Sequence, residues 1–278
     1  MSALDSPILT RPALERRLDA LVDANRFTIA VVFPLVGGIT LYASARGWLP
    51  PALAFNPLLV LFGTFVMRLP LVGGLLPLIG RRELTGLALL TAFTYLVELV
   101  GVATGLPYGN FTYLVHLGPM LFGLVPLGLP VFFLPLVLNS YLLVCLFLDV
   151  DRRFLRVALS TLTVVSLDLV LDPGAVALGF WAYDSGGVFY GVPLSNYLGW
   201  VFSGTVAVLC IEYAFDAEEL TARLAACPYC LDDMVSFVLL WGGLNAAFEN
   251  WLPALLAGLL GVALYAAGRF DIPRPRWR

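Results

Sequence analysis

The sequence predicts an all-α fold, a polytopic transmembrane helix bundle of about eight spans (seven being the other count) with both termini in the cytoplasm. Three observations predict it. Hydrophobic residues make up 60% of the 278 and charged residues only 13%, where a soluble domain has roughly 45–50% and about 25%. Apolar runs recur along the chain at the length, about 20 residues, that crosses about 30 Å of hydrocarbon. The arginines fall almost entirely on one side of the layout those runs define.

The first 25 residues read as a cytoplasmic arm. They lack an apolar core between a basic start and a small-residue cleavage site, so no cleaved signal peptide is expected. Leu14, Leu18 and Leu21 recur at helical spacing beside Arg16 and Arg17, which predicts an amphipathic helix on the membrane surface. Residues 26–268 form a single transmembrane domain, and 269–278 a cytoplasmic tail. The expected spans are 27–45, 52–68, 84–103, 119–148, 154–172, 197–215, 234–251 and 253–268. The last two are separated only by the tight connection around Trp251, Leu252 and Pro253. The run 69–80 is short and broken by proline and glycine, and reads as re-entrant or interfacial. Pro119, Pro126, Pro130 and Pro135 predict that the fourth segment is kinked or partly unwound before it becomes a helix.

There is no lysine, so the arginines test this layout. With the N-terminus inside, Arg11, Arg16, Arg17, Arg26, Arg68, Arg81, Arg82, Arg152, Arg153, Arg156, Arg223 and the tail arginines all fall inside. Only Arg46 falls outside, as the positive-inside rule expects of a cell-membrane, multi-pass protein. The net charge of −3 gives no nucleic-acid footprint.

Two long connections, 104–118 and 173–196, lie outside in this layout and are dense in Gly, Tyr, Trp and Asn. Long loops of this composition are more often functional than merely connecting. Beside them stand the ionisable residues. Glu98 lies toward the outer end of the third span, where a carboxylate is costly and hence a functional candidate. Asp168 and Asp172, four residues apart, share one face of the fifth helix, which Pro173 and Gly174 are expected to end. Two carboxyls that close in an apolar setting do not both ionise readily. One keeps a proton and serves as an acid while its neighbour stays charged. Tyr108, Tyr113, Trp181, Tyr183, Tyr190 and Trp200, with Asn196 among them, form the candidate binding surface. A membrane-edge aromatic belt is the plainer reading of the rings, but it does not call for Asn196 or Asp184.

The remaining candidates carry less. Cys145 and Cys210 read as small hydrophobes. Cys227 and Cys230 form a CPYC with neither a thioredoxin context nor further zinc ligands nearby in sequence, and read as a structural pair in a cytoplasmic loop. Asp149, Asp151, Asp216, Glu218 and Glu219 read as solvated span ends. His116 reads as a hydrogen-bonded loop residue, with proton relay its other role.

The stretches VELVGVATGLPYGNFTYLVHLGP and SLDLVLDPGAVALGFWAYDSGGVFYGVPLSNYLGW resemble the CruF-type carotenoid hydratases, and within them the archaeal bisanhydrobacterioruberin hydratases. The resemblance covers roughly residues 84–213. Where that family shows Glu-His-Xaa-Gly, this chain has Glu98-Leu99-Val100-Gly101. The resemblance implies addition of water across the terminal double bonds of an acyclic carotenoid to give tertiary alcohols. It implies no cofactor, and as partners a carotenoid, membrane lipid and other carotenoid-biosynthesis enzymes. Such chemistry needs a shielded acid, a site that tolerates a carbocation, and a base that activates water. Glu98, Asp168 and Asp172 supply acid and base between them, without the sequence saying which is which. Two other functions fit less well. An Mg²⁺-dependent prenyltransferase would use Asp168 and Asp172 but lacks a second Asp cluster and basic diphosphate clamps on that side. A carotenoid-binding or transport protein would leave its substrate unchanged, and no internal repeat of the transporter kind is found.

Overall fold

The computed structural model describes residues 10–115, 117–149 and 151–269. His116, most of the arm's first ten residues and the tail beyond Arg269 lie outside the described residues. Helices dominate. The first is continuous from Arg11 to Ala45, comprising α1 (Arg11–Phe27), one π-turn (Thr28–Val32) and α2 (Phe33–Ala45). Residues 11–25 of the expected surface arm therefore run without a break into the first span. The π-turn precedes Pro34, whose ring offers no N–H and crowds the preceding turn, so the ladder widens there.

α3 spans Pro57–Leu75 and is followed by a 3₁₀ turn at Leu76–Leu78. Its start is set by the Asn56 side chain, which accepts from the N–H groups of Leu58 and Leu59 at 3.0 and 3.3 Å. The segment 69–75 is thus helix continuing the second span, not a separate re-entrant piece. Pro70 is absorbed inside the helix, and the span shifts C-terminally from the expected 52–68. α4 (Arg81–Thr104) begins where Glu83 caps the Gly80 N–H at 2.7 Å, and ends at Gly105 with φ of 77°.

The fourth segment unwinds as expected: β2 (Met120–Leu121) and β3 (Val125–Pro126) form a short hairpin before α5 (Leu129–Cys145). α6 (Arg153–Leu178) does not stop at Pro173 and Gly174 but continues to Gly179, with φ of 77°. Two asparagines hold this turn. Asn245 donates to the Val170 carbonyl at 2.7 Å and Asn250 to the Pro173 carbonyl at 3.2 Å. α7 (Leu194–Ala214), the amphipathic α8 (Ala217–Ala226), α9 (Asp232–Ala247) and α10 (Trp251–Ala266) complete the chain. Asp216 caps α8, accepting from Glu218 and Glu219 N–H.

Among the described residues, five helical stretches are long and apolar enough to cross a membrane: 11–45, 57–78, 81–104, 153–178 and 194–214; α5 and α10 are shorter apolar helices. α6 sits centrally, packed on α5, α7, α9 and α10, while α4 closes against α7 and α2 against α9. Without a hydrophobic drive between helices in lipid, close packing and polar contacts hold such a bundle. Gly174 of α6 shows how close: a Cβ there would stand 2.9 Å from the Trp241 ring of α9.

The fold is helical apart from a few short strands, of which the β2–β3 hairpin is one pair. β1 (Phe111–Tyr113) pairs antiparallel with β4 (Trp181–Tyr183), joining the two long aromatic loops. At other points the bundle is tied by buried ion pairs. Arg26 meets Asp232 at 2.8 Å, Arg68 meets Asp233, and Arg156 meets Glu212 at 2.5 Å. Three arginines that the layout places on the inner side are therefore partners of buried carboxylates, Asp232, Asp233 and Glu212, that the sequence alone does not single out. Tyr141 donates to Glu212 at 2.5 Å and Asn139 to Asp233 at 2.5 Å, satisfying further lone pairs.

Candidate functional site

The β1–β4 ladder builds the site. Its register places Phe111 opposite Tyr183 and Tyr113 opposite Trp181. Because side chains alternate along a strand, these four rings share one face. All four line an apolar cavity of about 120 Å³ between the ladder and the helices. The ring centroids of Tyr113 and Trp181 are 6.2 Å apart and those of Phe111 and Tyr183 5.9 Å apart, the edge-on and tilted geometry aromatic pairs prefer.

Each tyrosine of the ladder carries its hydroxyl to a carboxyl from a helix. Tyr113 donates to Glu98 near the end of α4. Tyr183 donates to Asp172 Oδ2 at 2.9 Å. Asn196, in the first turn of α7, completes the arrangement: its Nδ2 donates to Asp172 Oδ2 at 2.7 Å and to Asp168 Oδ2 at 2.9 Å. Asp168 and Asp172 are buried, at 0% and 4% exposure. Glu98 and Asp172 line the cavity, whereas Asp168 stands one turn deeper, behind Asn196, and does not.

Of the aromatic candidates, Tyr108, Tyr113, Trp181, Tyr183 and Trp200 line the cavity together with Asn196. Tyr190 does not. It packs edge-on against Phe189 at 5.0 Å and accepts from the Leu252 N–H at 3.3 Å, tying its loop to the start of α10. Asp184 is exposed, with its backbone N–H on the Asn110 carbonyl. The cavity also takes residues that sequence reasoning missed. Phe133 of α5 stacks on Trp200 at 5.1 Å and 23°, and Trp241 of α9 closes one wall. Both lie in apolar runs, FFLPLVL and FVLLW, where nothing in the sequence marks one ring above its neighbours. Phe111 was within reach, standing two residues from Tyr113 in the same loop.

Away from the cavity, Cys227 and Cys230 are free and buried. Cys230 packs on Gly74 so tightly that a Cβ there would lie 2.5 Å from its sulfur, the close packing of a structural contact. Among the described residues no group of three His, Cys, Asp or Glu side chains could hold a metal ion. A carboxylic acid at the edge of an apolar, aromatic-walled cavity can protonate an alkene, and ring faces stabilise the resulting cation.

The helices and this cavity define a class: a helical protein of membrane type with an apolar, aromatic-walled site edged by carboxyl groups. The model of a carotenoid biosynthesis protein family matches residues 55–264, and the chain belongs to that family. It is also similar to the bisanhydrobacterioruberin hydratase of Haloarcula japonica, at 60% identity over 264 residues, which covers 94% of this chain and 90% of that one. No solved structure matches.

Proposed function

We propose that the chain is a carotenoid hydratase, adding water to the terminal double bonds of an acyclic, bisanhydrobacterioruberin-like carotenoid to give tertiary alcohols. The observation that carries this is the pair of carboxyls, Glu98 and Asp172, each held by a phenol of the β1–β4 ladder at the edge of an aromatic cavity. The 60% identity to a relative named as such a hydratase supports it. A carotenoid end group enters the cavity while the polyene stays among lipid chains, for which about 120 Å³ gives no room. Glu98 or Asp172 protonates the less substituted carbon. The tertiary cation is stabilised by the surrounding rings, and a carboxylate takes the proton of the attacking water. These steps call for no cofactor.

The same reading places the protein in the cell membrane with eight crossings, formed by α2, α3, α4, α5, α6, α7, α9 and α10, and with both termini inside. It is supported by the two site loops meeting in one ladder, as connections from the same side must. The amide variants test the chemistry. Glu98→Gln, Asp168→Asn and Asp172→Asn are expected to abolish hydration while the purified proteins keep wild-type helical circular dichroism. Full activity in all three would overturn the assignment.

A further inference from the structure

The cavity's carboxyls account for the proton, but hydration also consumes a water, and an apolar cavity has to hold one. Next to the cavity, Asp168 Oδ1, the Tyr108 hydroxyl and the Ser203 hydroxyl are among the buried side-chain oxygens to which no hydrogen bond of normal geometry is made. Their residues are 0%, 3% and 0% exposed. Buried polar groups are almost always hydrogen-bonded, and buried waters typically make about three such bonds.

The fold brings these oxygens to one place. Asp168 on α6 and Ser203 on α7 face the same crossing, whose closeness is set at Gly204, where a Cβ would stand 3.1 Å from Val164. The Tyr108 ring lies across α7 at Gly199, where a Cβ would stand 2.6 Å from it. Its hydroxyl lies beside Ser203 and within electrostatic reach of Asp168. Tyr108 lines the cavity, and its hydroxyl is buried.

We propose that Asp168 Oδ1, the Tyr108 hydroxyl and the Ser203 hydroxyl bind the nucleophilic water of the reaction. This rests on the hydratase reading. The carboxylate accepts a hydrogen bond from the water, and a hydroxyl donates to its oxygen, leaving a lone pair for the cation. When that lone pair forms the C–O bond, the water's proton passes to Asp168, and the alkene has gained the acid's proton on the adjacent carbon. The acid then recovers a proton from Asp168, so that alkene and water give alcohol with no other reactant.

If water is not held there, the cation can only return a proton and re-form an alkene. The test separates these fates: membranes carrying the protein are incubated with an acyclic carotenoid in D₂O, and both hydration and deuterium in the recovered, unhydrated carotenoid are read by mass spectrometry. In Ser203→Ala and in Tyr108→Phe, hydration is expected to fall about tenfold or more, while deuterium still enters the recovered carotenoid. Ser203→Thr, which keeps the hydroxyl, is expected to retain hydration within about threefold of wild type. Unchanged hydration in either deletion variant overturns the proposal, as does loss of deuterium exchange together with hydration in both. Wild-type protein that neither hydrates nor exchanges overturns the hydratase reading instead.

Discussion

Asn196 makes two hydrogen bonds from one nitrogen, to Asp168 and to Asp172, and so fixes the spacing of two buried carboxyls. Its replacement by alanine leaves both without that donor, which costs about 1–3 kcal/mol for an unsatisfied buried group. Asn196→Ala is therefore expected to unfold at lower temperature in detergent and to lose most hydration. An unchanged melting temperature would show that the carboxyls have other support. The carboxyls themselves were legible, because a charge within an apolar run is conspicuous whatever the fold. Their division of labour was not. That Glu98 and Asp172 reach the cavity while Asp168 stands behind depends on Asn196 and two tyrosines arriving from distant segments. The same holds for Tyr190, which shares its loop with site residues but turns toward α10.

At the scale of elements, three residues of β1 and three of β4 decide the site. Strands this short show too little alternation to be read from a sequence rich in aromatics throughout, so the loops were recognised as ordered without their pairing. α6 was cut short for a related reason. Proline and glycine read as a helix end, yet Asn245 and Asn250 from the α9–α10 corner hold the turn and let the helix continue. The loop before β1 is seated on α7 at Gly199, where a Cβ would stand 2.9 Å from the Pro107 carbonyl oxygen. Backbone on that side leaves little room to yield. Gly199→Val is expected to lower stability by about 1–3 kcal/mol and to abolish hydration by displacing Tyr108, read as thermal unfolding and turnover. Wild-type turnover would mean that the Tyr108 loop does not form the active wall.

Across the whole molecule, the aromatic ladder and the buried ion pairs divide the bundle between chemistry and scaffold. Arginine counting gave a sidedness, and the connections of the eight proposed crossings place both ladder loops on the side opposite Arg223 and α8. Arg156, 4% exposed, pairs with Glu212, and removing either partner leaves a buried charge uncompensated. The sequence shows the arginines by composition, but nothing in it singles out their partners Glu212, Asp232 and Asp233. Topology is tested with single introduced cysteines. An impermeant thiol reagent is expected to label Asp184→Cys in intact cells and Glu218→Cys only after lysis. The reverse pattern would invert the layout.

The central claim is that this chain adds water to a carotenoid. Membranes containing it, incubated with an acyclic carotenoid in ¹⁸O-labelled water, are expected to yield products heavier by one or two labelled waters. Membranes carrying the Glu98→Gln and Asp172→Asn variants are expected to yield none. Carotenoid that stays bound to the wild-type protein and is recovered at its original mass would contradict the account.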